Sequence, residues 1–179
     1  MTTVTDEILL ENLKKGDINS LGLLYERYKT VLLNYFLRTI GDYDISNDLL
    51  METFERVYKY RHSHKTSKKV RPWLYQIAAN LTKDHFRKSK PLAITDEMNL
   101  ETVKSTVEDV NDKTYKNQQL LNALNKLKPQ ERNILSMYYL LEMSYKDIAA
   151  NENITVNNAR IKVCRALKKL KDIAKEFEL

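Results

Sequence analysis

Apolar residues recur at helical spacing along most of the chain. Leu21, Leu24, Tyr25, Tyr28, Leu32, Tyr35 and Phe36 fall on one stripe, and Gly41-Asp42 supplies its stop. In Ile45 to Tyr60, ISNDLLMETFERVYKY, a second stripe runs through Leu49, Leu50, Thr53, Phe54 and Val57. Asp48, Met51, Glu52 and Glu55 share the opposite side at spacings of three and four. A basic loop follows, and then Trp73, Leu74, Ile77, Ala78 and Leu81 keep the same period. The pattern predicts helices throughout this half of the chain.

The period resumes near the C-terminus with Leu120, Leu121, Leu124 and Leu127. Lys128-Pro129 breaks it, and Pro129 suits the first turn of a new helix, where its missing N–H costs nothing. That helix turns Ile134, Leu135, Tyr138 and Leu141 inward. Ser144, with Asp147 three positions on, opens a short helix as a variant capping box, and Ile148 and Ala149 face its core. Asn153 fits the tight turn that follows, because asparagine tolerates positive φ better than other residues with side chains. Thr155 caps the last helix. There Val156, Ala159, Val163, Leu167 and Leu170 form the apolar stripe, while Asn157, Asn158, Arg160, Ile161, Lys162, Arg165 and Lys168 lie off it. A short helix, a tight turn and a longer helix with a basic outer face make a helix-turn-helix. Its second helix would enter a major groove, where Asn suits adenine, Arg suits guanine and an exposed Ile meets a thymine methyl. A solvated helix packed on another protein is the competing reading.

Composition narrows the class. Of 179 residues, only 3 are Gly and 3 Pro, too few turn-formers for a many-stranded β fold. The expectation is an all-α protein of two helical domains, 5–90 and 114–176, joined by a flexible acidic linker, 91–113. The start is polar rather than secretory, and no apolar run reaches the ~20 residues of a membrane span. A cytoplasmic protein without membrane insertion is expected. The 1 cysteine, Cys164, has no partner for an internal disulfide.

Charge changes the picture most. The net is +6, but Arg56 to Lys90 carries eleven cations against Asp84 alone. Pro91 to Asp112 carries six acids and one lysine, and Arg160 to Lys171 six cations and no acid. Basic, acidic, basic is the order. Eleven cations crowded together repel one another unless a polyanion offsets them, so nucleic acid is the expected partner. In the first basic segment they interleave with Tyr60, Trp73, Tyr75 and Phe86. Rings beside cations suit single strands, whose bases stack and whose phosphates need charge, although Trp73 and Phe86 read better as core. Three histidines occur, His62, His64 and His85; His62 and His64 stand in a basic loop with no nearby acid or cysteine, so no metal and no cofactor is expected. Nothing resembles a catalytic constellation, and no enzyme activity is expected.

These segments together resemble the bacterial sigma factors of the extracytoplasmic-function (ECF) group. The match runs through DINSLGLLYERYKTVLLNYFLRTIGD, DLLMETFERVYKY and RPWLYQIAANLTKDHFRK, then LNALNKLKPQERNILSMYYLLEMSYKDIA and ITVNNARIKVCRALKKLK. The resemblance implies a transcription initiation factor. Such a protein binds core RNA polymerase through the β′ clamp helices and β flap, recognises −10 and −35 promoter elements, and assists melting. It assigns Asp48, Met51, Glu52 and Glu55, otherwise readable as a solvated face, to the clamp. It assigns the loop Arg61 to Val70, with Lys65, Ser67, Lys68 and Lys69, to capture of a flipped −10 base. Arg71, Asn80, Lys83 and Arg87 join them on the −10 side. Asn157, Asn158, Arg160, Ile161, Lys162, Arg165 and Lys168 take the −35 element. The linker would thread the polymerase.

Several positions depart from the family pattern: Met51 for Gln, Gln76 for Arg, Glu142 and Asn153 for Gly, and Ile161 and Cys164 for polar or aromatic types. The last two imply an unusual −35 preference and leave room for a DNA-bound recruiting factor. An anti-sigma factor is a further partner that the resemblance allows. The alternative function is a helix-turn-helix repressor or activator outside the polymerase.

Overall fold

The computed structural model describes residues 4–88 and 112–175; the acidic stretch 91–111 lies outside the described residues. Eight α-helices make up the described chain: α1 (Asp6–Lys14), α2 (Asn19–Ile40), α3 (Tyr43–Tyr60), α4 (Val70–Lys88), α5 (Asp112–Asn125), α6 (Pro129–Tyr139), α7 (Tyr145–Glu152) and α8 (Val156–Lys175). One 3-10 turn, Arg61–Ser63, leads into the loop before α4. No strand occurs among the described residues.

Local chemistry sets the helix ends. Gly41 closes α2 at φ 84°, and its N–H donates to Leu37 O at 2.9 Å. A side chain at that φ would crowd the following carbonyl, which is why glycine suits the position. Asp42 Oδ1 then accepts from Ile45 N at 2.8 Å, so α3 begins at Tyr43, before the apolar stripe starts. Pro129 opens α6 as expected, with the Glu131 carboxylate accepting from Lys128 N at 3.0 Å.

Helix α1 carries no obvious stripe in the sequence, yet Leu9, Leu10 and Leu13 are almost wholly buried against the rest of the bundle. Asp6 fixes its start through hydrogen bonds from Arg27 and from the Tyr28 hydroxyl, both on α2. Burial and that carboxylate together raise the Tyr28 phenol well above its usual range.

Helices α1 to α4 pack as one group and α5 to α8 as another, with α2 and α4 of the first touching α6 and α7 of the second. The apolar core runs continuously from Leu32, Phe36 and Leu74 to Met137, Leu141 and Ile148. Each such side chain, taken fully from water, contributes about 1.5–3 kcal/mol before its ordering entropy is subtracted. Some positions differ from expectation. Tyr75 is only 3% exposed, with its ring edge-on to Tyr28, so it cannot stack on a base. Val156, at the first turn of α8, projects into solvent at 46% exposure, and Ala166 takes a place on the buried stripe instead. Trp73 and Phe86 are half-buried and lean on the core.

Candidate nucleic-acid interface

Helices α7 and α8 are set by three side-chain contacts. Ser144 Oγ accepts from Asp147 N at 3.2 Å and donates to Asp147 Oδ2 at 2.6 Å, so the carboxylate returns to the hydroxyl rather than to the Ser144 backbone. Asn153 occupies the left-handed region at φ 54°, and Thr155 Oγ1 accepts from Asn158 N at 3.2 Å. With Ala159, Val163 and Ala166 buried, the opposite side of α8 presents Asn157, Asn158, Arg160, Ile161, Lys162, Arg165 and Lys168, all exposed. Ile161 is 38% exposed among polar neighbours. The Arg160 guanidinium lies 5.5 Å from the centroid of the Tyr145 ring, which stacks on Tyr138 at 5.0 Å and 15°. This stack steadies the outer face at its N-terminal half. Among the described residues, no acid pairs with Lys162, Arg165 or Lys168.

The second basic face lies on α4 and the loop before it. Lys65, Ser67, Lys68 and Lys69 are exposed. Helix α1, whose role the sequence did not signal, anchors this loop. Lys14 Nζ donates to His64 O at 3.0 Å, and Thr66 Oγ1 donates to Glu11 Oε1 at 3.1 Å. The hydrogen bond from Lys14 holds the Glu11 carboxyl below its usual range. His64 is buried at the base of the loop, its ring 4.8 Å from that of Trp73. Arg61 lies over the Tyr58 ring at 4.0 Å.

On α3, Asp48, Met51 and Glu55 are exposed and Glu52 half-exposed. Met51, 54% exposed, is an apolar spot ringed by carboxylates. Glu52 accepts from Arg56 at 2.7 Å, and Arg56 also approaches Asp84 of α4 at 3.8 Å.

Several α4 side chains are already engaged by the second helical group. Arg71 donates to Glu142 at 2.5 Å, Lys83 Nζ donates to Asn151 O at 2.8 Å, and Asn151 Nδ2 donates to Asn80 Oδ1 at 2.8 Å. Nearby, the buried Tyr35 hydroxyl donates to Asn133 Oδ1 at 2.8 Å. Arg132 is 5% exposed; Nη1 reaches Asn125 Oδ1 at 2.9 Å, and burial pushes its pKa down. Glu142 stands at φ 50°, the second non-glycine residue at positive φ among those described. Arg87, at the far end of α4, pairs instead with Asp84 at 3.1 Å. The sequence marks Glu142 as a departure from the family pattern but assigns no contact to Glu142, Asn151, Asn133 or Arg132. Single asparagines and an arginine at helix ends carry no period that would mark them.

Two family models match the chain. Sigma-70 region 2 covers residues 24–91, and Sigma-70 region 4 covers residues 117–170. The ECF RNA polymerase sigma factor SigM of Bacillus subtilis is 32% identical over 149 residues, 83% of this chain and 91% of its own length. The chain belongs to the ECF RNA polymerase sigma factors. The sigma factor CarQ of Myxococcus xanthus is 26% identical over 95% of this chain and 98% of its own. The structure of CnrH in complex with the cytosolic domain of CnrY superposes with a TM-score of 0.69 at 19% identity, covering 96% of this chain and 97% of that one, which shows a shared fold. As an ECF sigma factor the protein is a transcription initiation factor, acting with RNA polymerase in promoter recognition. The reading as a separate repressor or activator is not favoured. No described helix is long and apolar enough to cross a membrane.

Proposed function

We propose that this sigma factor reads the −35 element as duplex through α8 and the −10 element as a melted strand through α4 and the loop 61–70. The observation that carries the reading is the outer face of α8, where two asparagines, four cations and Ile161 stand exposed beyond a turn capped by Thr155. Arg160, held by the Tyr145 ring, suits a guanine edge, while Asn157 and Asn158 suit adenine. Lys162, Arg165 and Lys168 supply phosphate charge. On the other side Lys65, Ser67, Lys68 and Lys69 line a loop for an unstacked base, and Arg71, Asn80, Lys83 and Arg87 follow its backbone. Extruding a base costs a few kcal/mol, which capture in such a loop offsets.

Asp48, Met51, Glu52 and Glu55 form the docking face for the β′ clamp helices, with Met51 as its apolar centre. The β flap is the partner of the second domain. We take the domains as 5–90 and 114–176, with 91–113 as the acidic segment that passes through the polymerase. The protein works in the cytoplasm by binding alone, without a catalytic step or cofactor of its own. An anti-sigma factor is a natural partner, because the structural neighbours CnrH and RpoE of Bartonella quintana are each seen in complex with another protein, for RpoE the anti-sigma factor NepR.

The test is Asp48→Lys in the full chain. Affinity for core polymerase should fall at least tenfold with the helical circular-dichroism signal unchanged; wild-type affinity would remove this face from the interface.

A further inference from the structure

We propose that α1 is a positioning element for base capture: Glu11 and Lys14 hold the loop 61–70 in the shape that receives a flipped base, and so set how sharply that base is chosen. The proposal rests on the assignment of this loop to the −10 strand, an assignment that gives α1 no part. Glu7, Glu11 and Lys14 follow one another at spacings of four and three, so they share one face of α1. That face is turned to the loop. Lys14 Nζ donates to His64 O at 3.0 Å, and Glu11 Oε1 accepts from Thr66 Oγ1 at 3.1 Å, across 50 and 55 positions of sequence. Glu7 Oε1 lies 3.9 Å from Lys69 Nζ. Lys14 and Glu11 also pair with each other at 2.8 Å, so each is held in place as it holds the loop.

Helix α1 is itself a fixed support. Leu9, Leu10 and Leu13 are buried in the core, and Asp6 is bound by Arg27 and Tyr28 of α2. The loop has much less to hold it. From Lys65 to Lys69 every residue is exposed. Inside it one turn closes, Lys68 N donating to Lys65 O at 2.9 Å, and the His64 ring makes a 3.4 Å contact with Lys69 O. The two hydrogen bonds from α1 enter at His64 and Thr66, on either side of Lys65, where that turn begins. The far limb is fixed separately by Val70, which is wholly buried. The turn carrying Lys65, Ser67 and Lys68 is therefore held between α1 on one limb and the core on the other. A loop ordered before its ligand arrives loses less freedom on binding. Its contacting groups also discriminate only while their supports keep them in register.

The test uses complexes of the full chain with core polymerase. One probe is a fork-junction DNA library whose −10 strand is unpaired and randomised; a second library is randomised in the −35 duplex. Bound DNA is sequenced. Lys14→Met keeps the apolar stem, removes the donor to His64 O and alters no residue assigned to polymerase or DNA. Preference for the best over the worst base at the captured position should fall about fivefold. Preference in the −35 library and affinity for core polymerase should stay at wild-type levels. Lys14→Arg, which can still donate to His64 O, should restore most of the −10 preference, and Glu11→Ala should lower it less than Lys14→Met does. In the free chain, hydrogen exchange at the Lys68 amide should quicken in Lys14→Met while α2 and α4 exchange as in wild type, the mark of a loosened loop in an intact fold. A −10 preference as sharp as wild type in Lys14→Met overturns the positioning role, as does an equal loss in both libraries. If the wild-type complex itself chose no base in the unpaired strand, the reading of the loop would fall first, and the positioning role with it.

Discussion

The two basic faces of this sigma factor are built to opposite plans. On α8 no acid among the described residues pairs with Lys162, Arg165 or Lys168, and the Arg160 guanidinium is oriented over the Tyr145 ring. On the α4 side Arg71 meets Glu142 in an exposed pair and Lys83 meets the Asn151 carbonyl, while Lys65, Lys68 and Lys69 of the loop before it stand exposed. A duplex in its major groove needs only a rigid, prearranged helix. A melted strand exists only after the polymerase has opened the promoter, so its reader need not be available beforehand. The difference teaches that charge counts do not measure accessibility. The stretch Arg56 to Lys90 holds eleven cations against six in Arg160 to Lys171, yet Arg56, Arg71, Lys83 and Arg87 of the former meet acids or a carbonyl within the fold.

The largest effect expected on this contrast comes from Ile148→Ala. Ile148 is wholly buried in α7, and its truncation should cost about 2–5 kcal/mol. Because α7 supports both α8 and the contact with α4, −35 binding should be lost while free-chain strand binding rises. Thermal melts with anisotropy on both DNA forms check this; a parallel fall in both would mean the two faces share one fate. Next, Arg160→Ala should cost about 1–3 kcal/mol on a preferred −35 duplex and relax choice at one base pair. Uniform weakening on all sequences would reassign Arg160 to phosphate. Lys83→Ala should lower the salt slope of promoter binding by about 1 in the polymerase complex, because one phosphate is then no longer neutralised. An unchanged slope would remove Lys83 from the backbone path.

The smallest effect concerns Glu131, which joins α6 to α8. Burial opposes its charge, but the Lys169 ammonium at 2.8 Å and the Lys128 N–H outweigh it and hold the carboxyl below the usual carboxylate range. A lowered folded pKa means its contribution is full above the unfolded value and is lost as pH falls through the folded one. Glu131→Gln keeps an oxygen for the Lys128 N–H but loses the attraction to Lys169, so it should cost up to about 1 kcal/mol near neutrality and nothing in strong acid. Chemical denaturation at the two pH values measures it, and an equal cost at both would place the effect in packing.

Much of this was legible in the residues. Period alone marks Leu49, Leu50, Thr53, Phe54 and Val57 as the buried side of α3, and all five are buried. Asn153 and Thr155 announce the tight turn because so few residue types tolerate those conformations. What stays hidden is whatever depends on distant partners. Helix α1 escapes notice because its three leucines have meaning only against the rest of the bundle. Tyr75 reads as a free ring because periodicity cannot say that the Tyr28 ring waits 5.8 Å away. Asn151 looks like an ordinary helix end, and nothing local reveals that it reaches across to Asn80.

Trp73 is the only tryptophan among 179 residues, and it sits against the imidazole of His64 under the loop 61–70. Indole emission is sensitive to a neighbouring imidazole and to local polarity. The chain thus carries its own optical reporter, so that movement of that loop can be followed in real time in the unlabelled free protein as a DNA strand is added.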